Sequence, residues 1–150
     1  MTRRALLAKL DARKVEEAIA AAERAAAIEL RVSVAGLFWG DPQRVAERAF
    51  RRLSMTATTR RNGILLLLVP WRRRVVLLAD QGITGKVDAT IWQSTVAAVT
   101  AAFASGQFSD GLCGAIETLG RALAPHLPPG EKVNELPDAV DGGGQSPRRQ

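Results

Sequence analysis

The stretch ILLLLVPWRRRVVLLAD, residues 64–80, decides the fold. Its first six residues are apolar without alternation, the pattern of a central strand covered by helices on both faces. Burying such side chains contributes roughly 1.5 to 3 kcal/mol each before conformational entropy is counted. The following PWRRR is too short for a helical crossover, so RVVLLAD must return antiparallel beside the first strand. That places Arg72, Arg73 and Arg74 on an exposed hairpin.

Upstream, IELRVSVAG alternates, with Ile28, Leu30, Val32 and Val34 on one face and Glu29, Arg31 and Ser33 on the other. This is a further strand. Asp41 and Pro42 read as an N-cap and a first-position proline. Val45, Ala49, Phe50 and Leu53 form the buried stripe of the helix they open, which ends near Ser54. Strand, helix and strand with parallel pairing imply a right-handed crossover. Asp11 caps an earlier helix carrying Val15, Ile19, Ala22 and Ala26 on one face. Downstream, a helix is predicted over about 88–104, with Ile91, Trp92, Val96, Val99 and Phe103 inward, and another over about 111–124. The expected architecture is an α/β fold: a three-layer α/β/α sandwich on a small mixed sheet with helices on both faces, Rossmann-like in appearance.

A chain of 150 residues suits one domain. Residues 1–10 read as a lead, 11–127 as the folded unit, and 128–150 as a disordered tail, because proline, a glycine triplet and scattered charge leave little to bury. The net charge of +6 lies in the folded part, where 18 Lys and Arg face 11 Asp and Glu over residues 1–127. One cysteine, Cys113, and one histidine, His126, exclude a disulfide framework and the usual four-ligand zinc site. Residues 5–8 are too short an apolar run for a secretory signal, and residues 64–71 too short to span a bilayer. The expected location is cytoplasmic.

The stretch ADQGITGK, residues 79–86, invites a phosphate or metal reading. A phosphate loop needs four residues between its first glycine and the Gly-Lys pair, then a hydroxyl. Gly82 and Gly85 enclose two, and Val87 replaces the hydroxyl. Asp80, Thr84, Gly85 and Asp88 fall at positions one, five, six and nine of a calcium loop. Gly82 and Ile91 stand at positions three and twelve, where ligands are needed. The plainer reading is a corner: Asp80 ends a strand, the glycines allow unusual dihedrals, and Asp88 caps the next helix.

Strand directions sort the remaining candidates. Asp80 belongs to the end where the two parallel strands begin, with Glu29, Asn62 and Thr58. Asp41, Trp39, Trp71, Arg72, Arg73, Arg74 and the loop holding Asp110 gather where those strands finish, the side that ligands prefer in open α/β sheets. Asp80 and Asp110 are therefore expected apart, and Asp41 and Asp110 are also placed to cap helices. No serine occupies a strand-to-helix nucleophile elbow, His126 stands at a helix end, and Cys113 reads as core filler. The arginine runs could meet anionic lipid or polymer, but no nucleic-acid motif accompanies them and nucleic acid is not the expected partner. Solvated surface is their plain reading.

Taken together, Glu29, Phe50, Leu53, Met55, Thr58, the Arg61-Asn62-Gly63 run, Asp80, Gly82, Ile83, Trp92, Phe103, Gly106, Phe108, Gly111 and Leu112 resemble the TPM domain family. That family is named for a thylakoid lumen protein, a photosystem II repair factor and a worm receptor modulator. The resemblance spans about residues 16–128 and implies an α/β/α sandwich. It also implies roles proposed for family members: phosphomonoester hydrolysis, calcium binding, and assembly or repair beside membrane complexes. The chain departs from the family at Ala27-Ile28 and Ser54, where glycine is usual. It departs again at Asp88, where proline is common, and at Gln107, where many relatives carry an acid. Loss of the acid at 107 weakens a calcium site beside Asp110 and Asp41. The expectation is an accessory module that binds a protein partner. A weak divalent-cation site, calcium for preference, would draw on Asp41, Asp80, Asp88 and Asp110, and Trp71, Arg72, Arg73 and Arg74 are candidate anion or partner contacts. A low-activity phosphatase and peripheral membrane contact are the alternatives.

Overall fold

The computed structural model describes residues 1–57, 60–130 and the backbone of 140–141. The chain order is α1 (Arg3–Lys9), α2 (Ala12–Ala25), β1 (Glu29–Val34), α3 (Pro42–Arg52), β2 (Gly63–Val69), β3 (Arg74–Ala79), α4 (Gln81–Thr84), α5 (Ala89–Ala104), α6 (Phe108–Leu123) and β4 (Val140–Asp141). The sheet runs β3-β2-β1-β4. β1 and β2 are parallel from Glu29↔Gly63 to Val34↔Leu68, and β3 returns antiparallel from Val69↔Arg74 to Ile64↔Ala79. The predicted hairpin is therefore present. A single 3-10 turn over Pro70–Arg72 closes it, with Arg73 in the left-handed region at φ 54°.

β2 is buried along its whole length, as its unbroken apolar run requires. Its even-numbered residues, Ile64, Leu66 and Leu68, join Leu30, Val32 and Val34 of β1 under α2, α5 and α6. Its odd-numbered residues, Leu65, Leu67 and Val69, face α3 through Ala46, Ala49, Phe50 and Leu53. These are the two outer layers of the sandwich. Period-two alternation assigns both faces of β1 correctly. Its polar face is buried all the same: Glu29, Arg31 and Ser33 are each almost fully enclosed.

Helix starts follow the short side chains that precede them. Thr2, Asp11, Asp41 and Asp88 each accept a hydrogen bond from a first-turn N–H of α1, α2, α3 and α5. Two helix contacts depend on glycine. A Cβ on Gly120 would lie 2.7 Å from Ala22 Cα, and one on Gly111 would lie 2.1 Å from Ala102 Cβ, so α6 approaches α2 and α5 at backbone range. This corrects the expected start of the last helix. It opens at Phe108, because Gly111 is an interior packing position and not its first residue. The ten residues set aside as a lead include α1, whose Leu6 is fully buried. The expected disordered tail falls largely outside the described residues; Val140–Asp141 pairs parallel with β1 beside Val32 and Ser33.

Candidate functional site

At the end where β1 and β2 begin, called here the closed end, Asp80 and Asn62 are buried and bonded to neighbouring groups. Arg61 holds both carboxylate oxygens of Asp80, Nε to Oδ2 at 2.6 Å and NH2 to Oδ1 at 2.9 Å. Asp80 is 6% exposed and also accepts the N–H of Gln81 at 2.8 Å, opening α4. Charge assistance and the fork geometry make this a strong contact, and it raises the Arg61 pKa further above its ordinary value. Arg61 reaches the carboxylate from a left-handed backbone, φ 51°. Asn62 donates from Nδ2 to the Ala27 carbonyl at 3.0 Å, and its own carbonyl accepts the Glu29 N–H at 3.1 Å. Thr58, expected here, lies outside the described residues.

Residues 79–86 form a corner held by an ion pair. The reason for its glycine differs from the expected one. Neither Gly82 nor Gly85 has a positive φ. Gly82 is there for space: a Cβ would sit 2.1 Å from the Arg60 carbonyl oxygen and 2.5 Å from that of Arg61. Its N–H donates to the Arg61 carbonyl at 2.8 Å, so strand end and loop are in backbone contact.

Asp88 lies beyond this corner and accepts the Thr90 N–H at 2.9 Å. That hydrogen bond is the main cause that lowers its pKa, with His126 adding a smaller electrostatic contribution. His126 follows the end of α6 and is exposed.

The opposite end, where β1 and β2 finish, is an open rim. Asp41 caps α3 by accepting the Gln43 N–H at 2.9 Å. Asp110 is not a cap, contrary to the reading that paired it with Asp41: it stands exposed in the first turn of α6, whose N-cap is Gln107. Arg72 is held against the rim and does not extend freely into solvent. It donates to the Gly40 carbonyl and lies over the rings of Phe38 and Trp71 at 5.0 and 5.1 Å. Trp71 meets Phe38 and Trp39 edge to face at 6.1 and 6.5 Å. Arg73 and Arg74 are exposed. Beside them a cavity of about 400 Å³ is lined by Val69, Pro70, Arg73, Val75, Phe103 and Phe108.

The four candidate carboxylates thus belong to different elements at two ends of the sheet. No group of three or more His, Cys, Asp or Glu side chains placed to hold a metal ion occurs among the described residues. Burial, reinforced by Glu117 and Asp110, pushes the Cys113 thiol pKa up and away from the thiolate a nucleophile needs. The Arg61–Asp80 pair was not anticipated from the sequence. Counting outward from a hairpin closed at Val69↔Arg74 sets Asp80 opposite Gly63, two residues from Arg61.

The TPM domain profile matches residues 2–122. The chain is similar to the NMR structure of BA42 protein from the psychrophilic bacterium Bizionia argentinensis. Identity is 30% and the TM-score 0.82, with 89% of this chain and 95% of that chain covered. A solution NMR structure of the N-terminal domain of a P. gingivalis protein shares the fold at 20% identity and a TM-score of 0.63, covering 78% of this chain and 76% of that one. No curated protein sequence matches the chain. The match over residues 2–122, the sandwich it predicts and the likeness to BA42 agree, and the chain belongs to the TPM domain family.

Proposed function

We propose that this TPM-domain chain is a non-catalytic accessory module that works by binding a partner, with the open rim as its working face. The observation that supports this reading is the employment of the carboxylates. Asp41 and Asp88 cap helices and Asp80 is held by Arg61, while Asp110 stands on the first turn of another helix. Phosphoryl transfer needs such groups converged with cations on one set of oxygens, and a calcium cage needs six or more oxygens around one point. The rim, by contrast, presents Trp39, Arg73 and Arg74 outward. The same reading keeps the chain in the cytoplasm, where an unpaired thiol such as Cys113 stays reduced.

Both family-implied chemistries are tested directly. Aryl phosphate turnover is expected to be the same in the native, Asp80→Asn and Asp110→Asn proteins; activity that disappears in Asp110→Asn, or in Asp80→Asn with its urea midpoint retained, establishes a phosphatase instead. In a calcium titration followed by amide NMR, no localised shifts are expected at Asp41, Asp80, Asp88 or Asp110. Saturable shifts at any of them establish a cation site. A photo-reactive residue at position 39 is expected to form adducts in cells where one at position 117, on the exposed side of α6, does not. Equal labelling, or none, removes the rim as the working face.

A further inference from the structure

We propose that the occupant of the open rim is an anionic lipid bilayer surface, met by Leu37 and Trp39 at headgroup depth with Arg3, Arg72, Arg73 and Arg74 around them. The inference rests on the rim being the working face and adds the chemistry of what it meets.

The first observation is where the exposed apolar side chains stand. Among the described residues three large hydrophobic side chains are exposed, Met1 at 46%, Leu37 at 77% and Trp39 at 87%, and all three lie at this end. Leu37 and Trp39 belong to the loop that leaves β1, and Trp39 lies against Trp71 of the hairpin. Met1 shares the cavity wall with Pro70, Arg73 and Arg74. Isolated exposed apolar residues are ordinary on a soluble surface, but their concentration at one end marks a contact face.

The second observation is the charge around them. Arg3 Nε donates to the Val34 carbonyl at 3.1 Å, and its Cδ would lie 3.8 Å from a Cβ on Gly36, which ties it to the base of the same loop. Arg72 is pinned to that loop through Gly40, and Arg73 and Arg74 project beside it. The nearby carboxylate of Asp41 is engaged with the α3 backbone. Cations interleaved with a tryptophan and a leucine match the headgroup layer, where phosphates and the apolar boundary lie within one side-chain length of each other and tryptophan is enriched.

The third observation is shape. Phe38 packs inward on the core while its neighbours Leu37 and Trp39, between Gly36 and Gly40, stand out into solvent. A protein partner of standard size would need about 800 Å² of complementary surface with an apolar centre. Apolar points separated by arginines suit a fluid surface better. No helix among the described residues is long and apolar enough to cross a membrane.

The test is co-sedimentation of the full chain with phosphatidylcholine vesicles made with and without phosphatidylglycerol. Binding is expected to the anionic vesicles and to fall steeply with salt. Arg73→Gln and Arg74→Gln should each weaken it about fivefold, and Trp39→Ser about tenfold or more. Lipids brominated near the headgroup should quench emission in the native protein and less in Trp39→Phe, where Trp71 remains on the rim as a more deeply set emitter. Equal binding to neutral vesicles, or binding unchanged in the Trp39 and arginine variants, overturns the proposal. If vesicles are not bound while the photo-reactive residue at 39 links to a protein, the lipid inference fails and the module reading stands. If neither occurs, both fail.

Discussion

The two ends of the sheet are built from similar residues, arginines beside short carboxylates, yet they use them in opposite ways. At the closed end Asp80 is buried and both its oxygens are held by Arg61, while Asn62 bridges to the chain before β1. At the open rim Asp41 satisfies a helix start, and Arg72 lies on aromatic faces and donates to the Gly40 carbonyl. The contrast teaches that side-chain type does not identify the working surface; what each charged group is already bonded to does. An arginine that neutralises a buried acid supports the fold. Arg73 and Arg74, exposed at the same end as Trp39 and Leu37, are available to something else. The comparison therefore makes unequal predictions for the two ends.

The largest effect is expected from Gly82→Ala. The added Cβ would meet two backbone carbonyl oxygens that cannot swing aside as a flexible side chain could. Overpacking of this kind costs about 3 kcal/mol, at the upper end of its usual range. Urea unfolding should show the midpoint falling with the slope preserved; a loss below about 1 kcal/mol would mean that the corner is loose. Asp80→Ala should come next. It removes a bidentate partner and the Gln81 contact together, so its midpoint loss should exceed that of Asp41→Ala, a cap substitution worth about 1 kcal/mol. Equal losses would erase the distinction between the two ends.

Much of this was legible before any coordinates. The uninterrupted apolar run at 64–69 and the short PWRRR link leave room only for an antiparallel return, and the residues of β1 alternate as the two core layers require. Strand direction alone then separates Asp80 from Trp39 and Arg72. What was hidden depends on distances that sequence spacing does not carry. Gly82 and Gly40 are the same letter, but the first exists for close approach and the second for a left-handed backbone. Gly111 looked like a helix boundary because its contact with Ala102 lies on another helix. Pairing Arg61 with Asp80 requires both the hairpin register and a left-handed arginine, and several other arginines compete on paper. The burial of Glu29, Arg31 and Ser33 is a property of the layer above them and not of the strand.

Ser54 offers a smaller, stabilising test at the closed end. It follows Leu53, the C-cap of α3, at φ 56°, a position where glycine relieves the Cβ conflict. After glycine's greater chain entropy is counted, Ser54→Gly should raise stability by about 0.5 to 1 kcal/mol, read as a higher urea midpoint. No gain would mean that the serine side chain supplies an offsetting contact. The pH response supplies a further test. The folded-state pKa of Asp88 is lowered, so the stabilisation it gives is present above the unfolded carboxylate value and is lost as pH falls through the folded one. Asp88→Asn should therefore be less stable than the native protein near neutral pH, with the two converging in acid. A constant gap across that range would show that the charge of Asp88 is not what the helix start uses.

The smallest expected effect on stability is at the rim, and it separates the two ends most cleanly. Trp39 is almost fully exposed, and its recorded ring contact is an edge-to-face approach to Trp71, so Trp39→Ser gives up little burial. Surface substitutions away from caps and packed contacts usually stay within about 0.5 kcal/mol, and the urea midpoint should hardly move. A side chain with that much apolar area facing water and so little share in stability is one whose removal should be felt only in binding. A loss as large as that of Asp80→Ala would make the rim part of the fold's support, and the functional assignment of the two ends would have to be reversed.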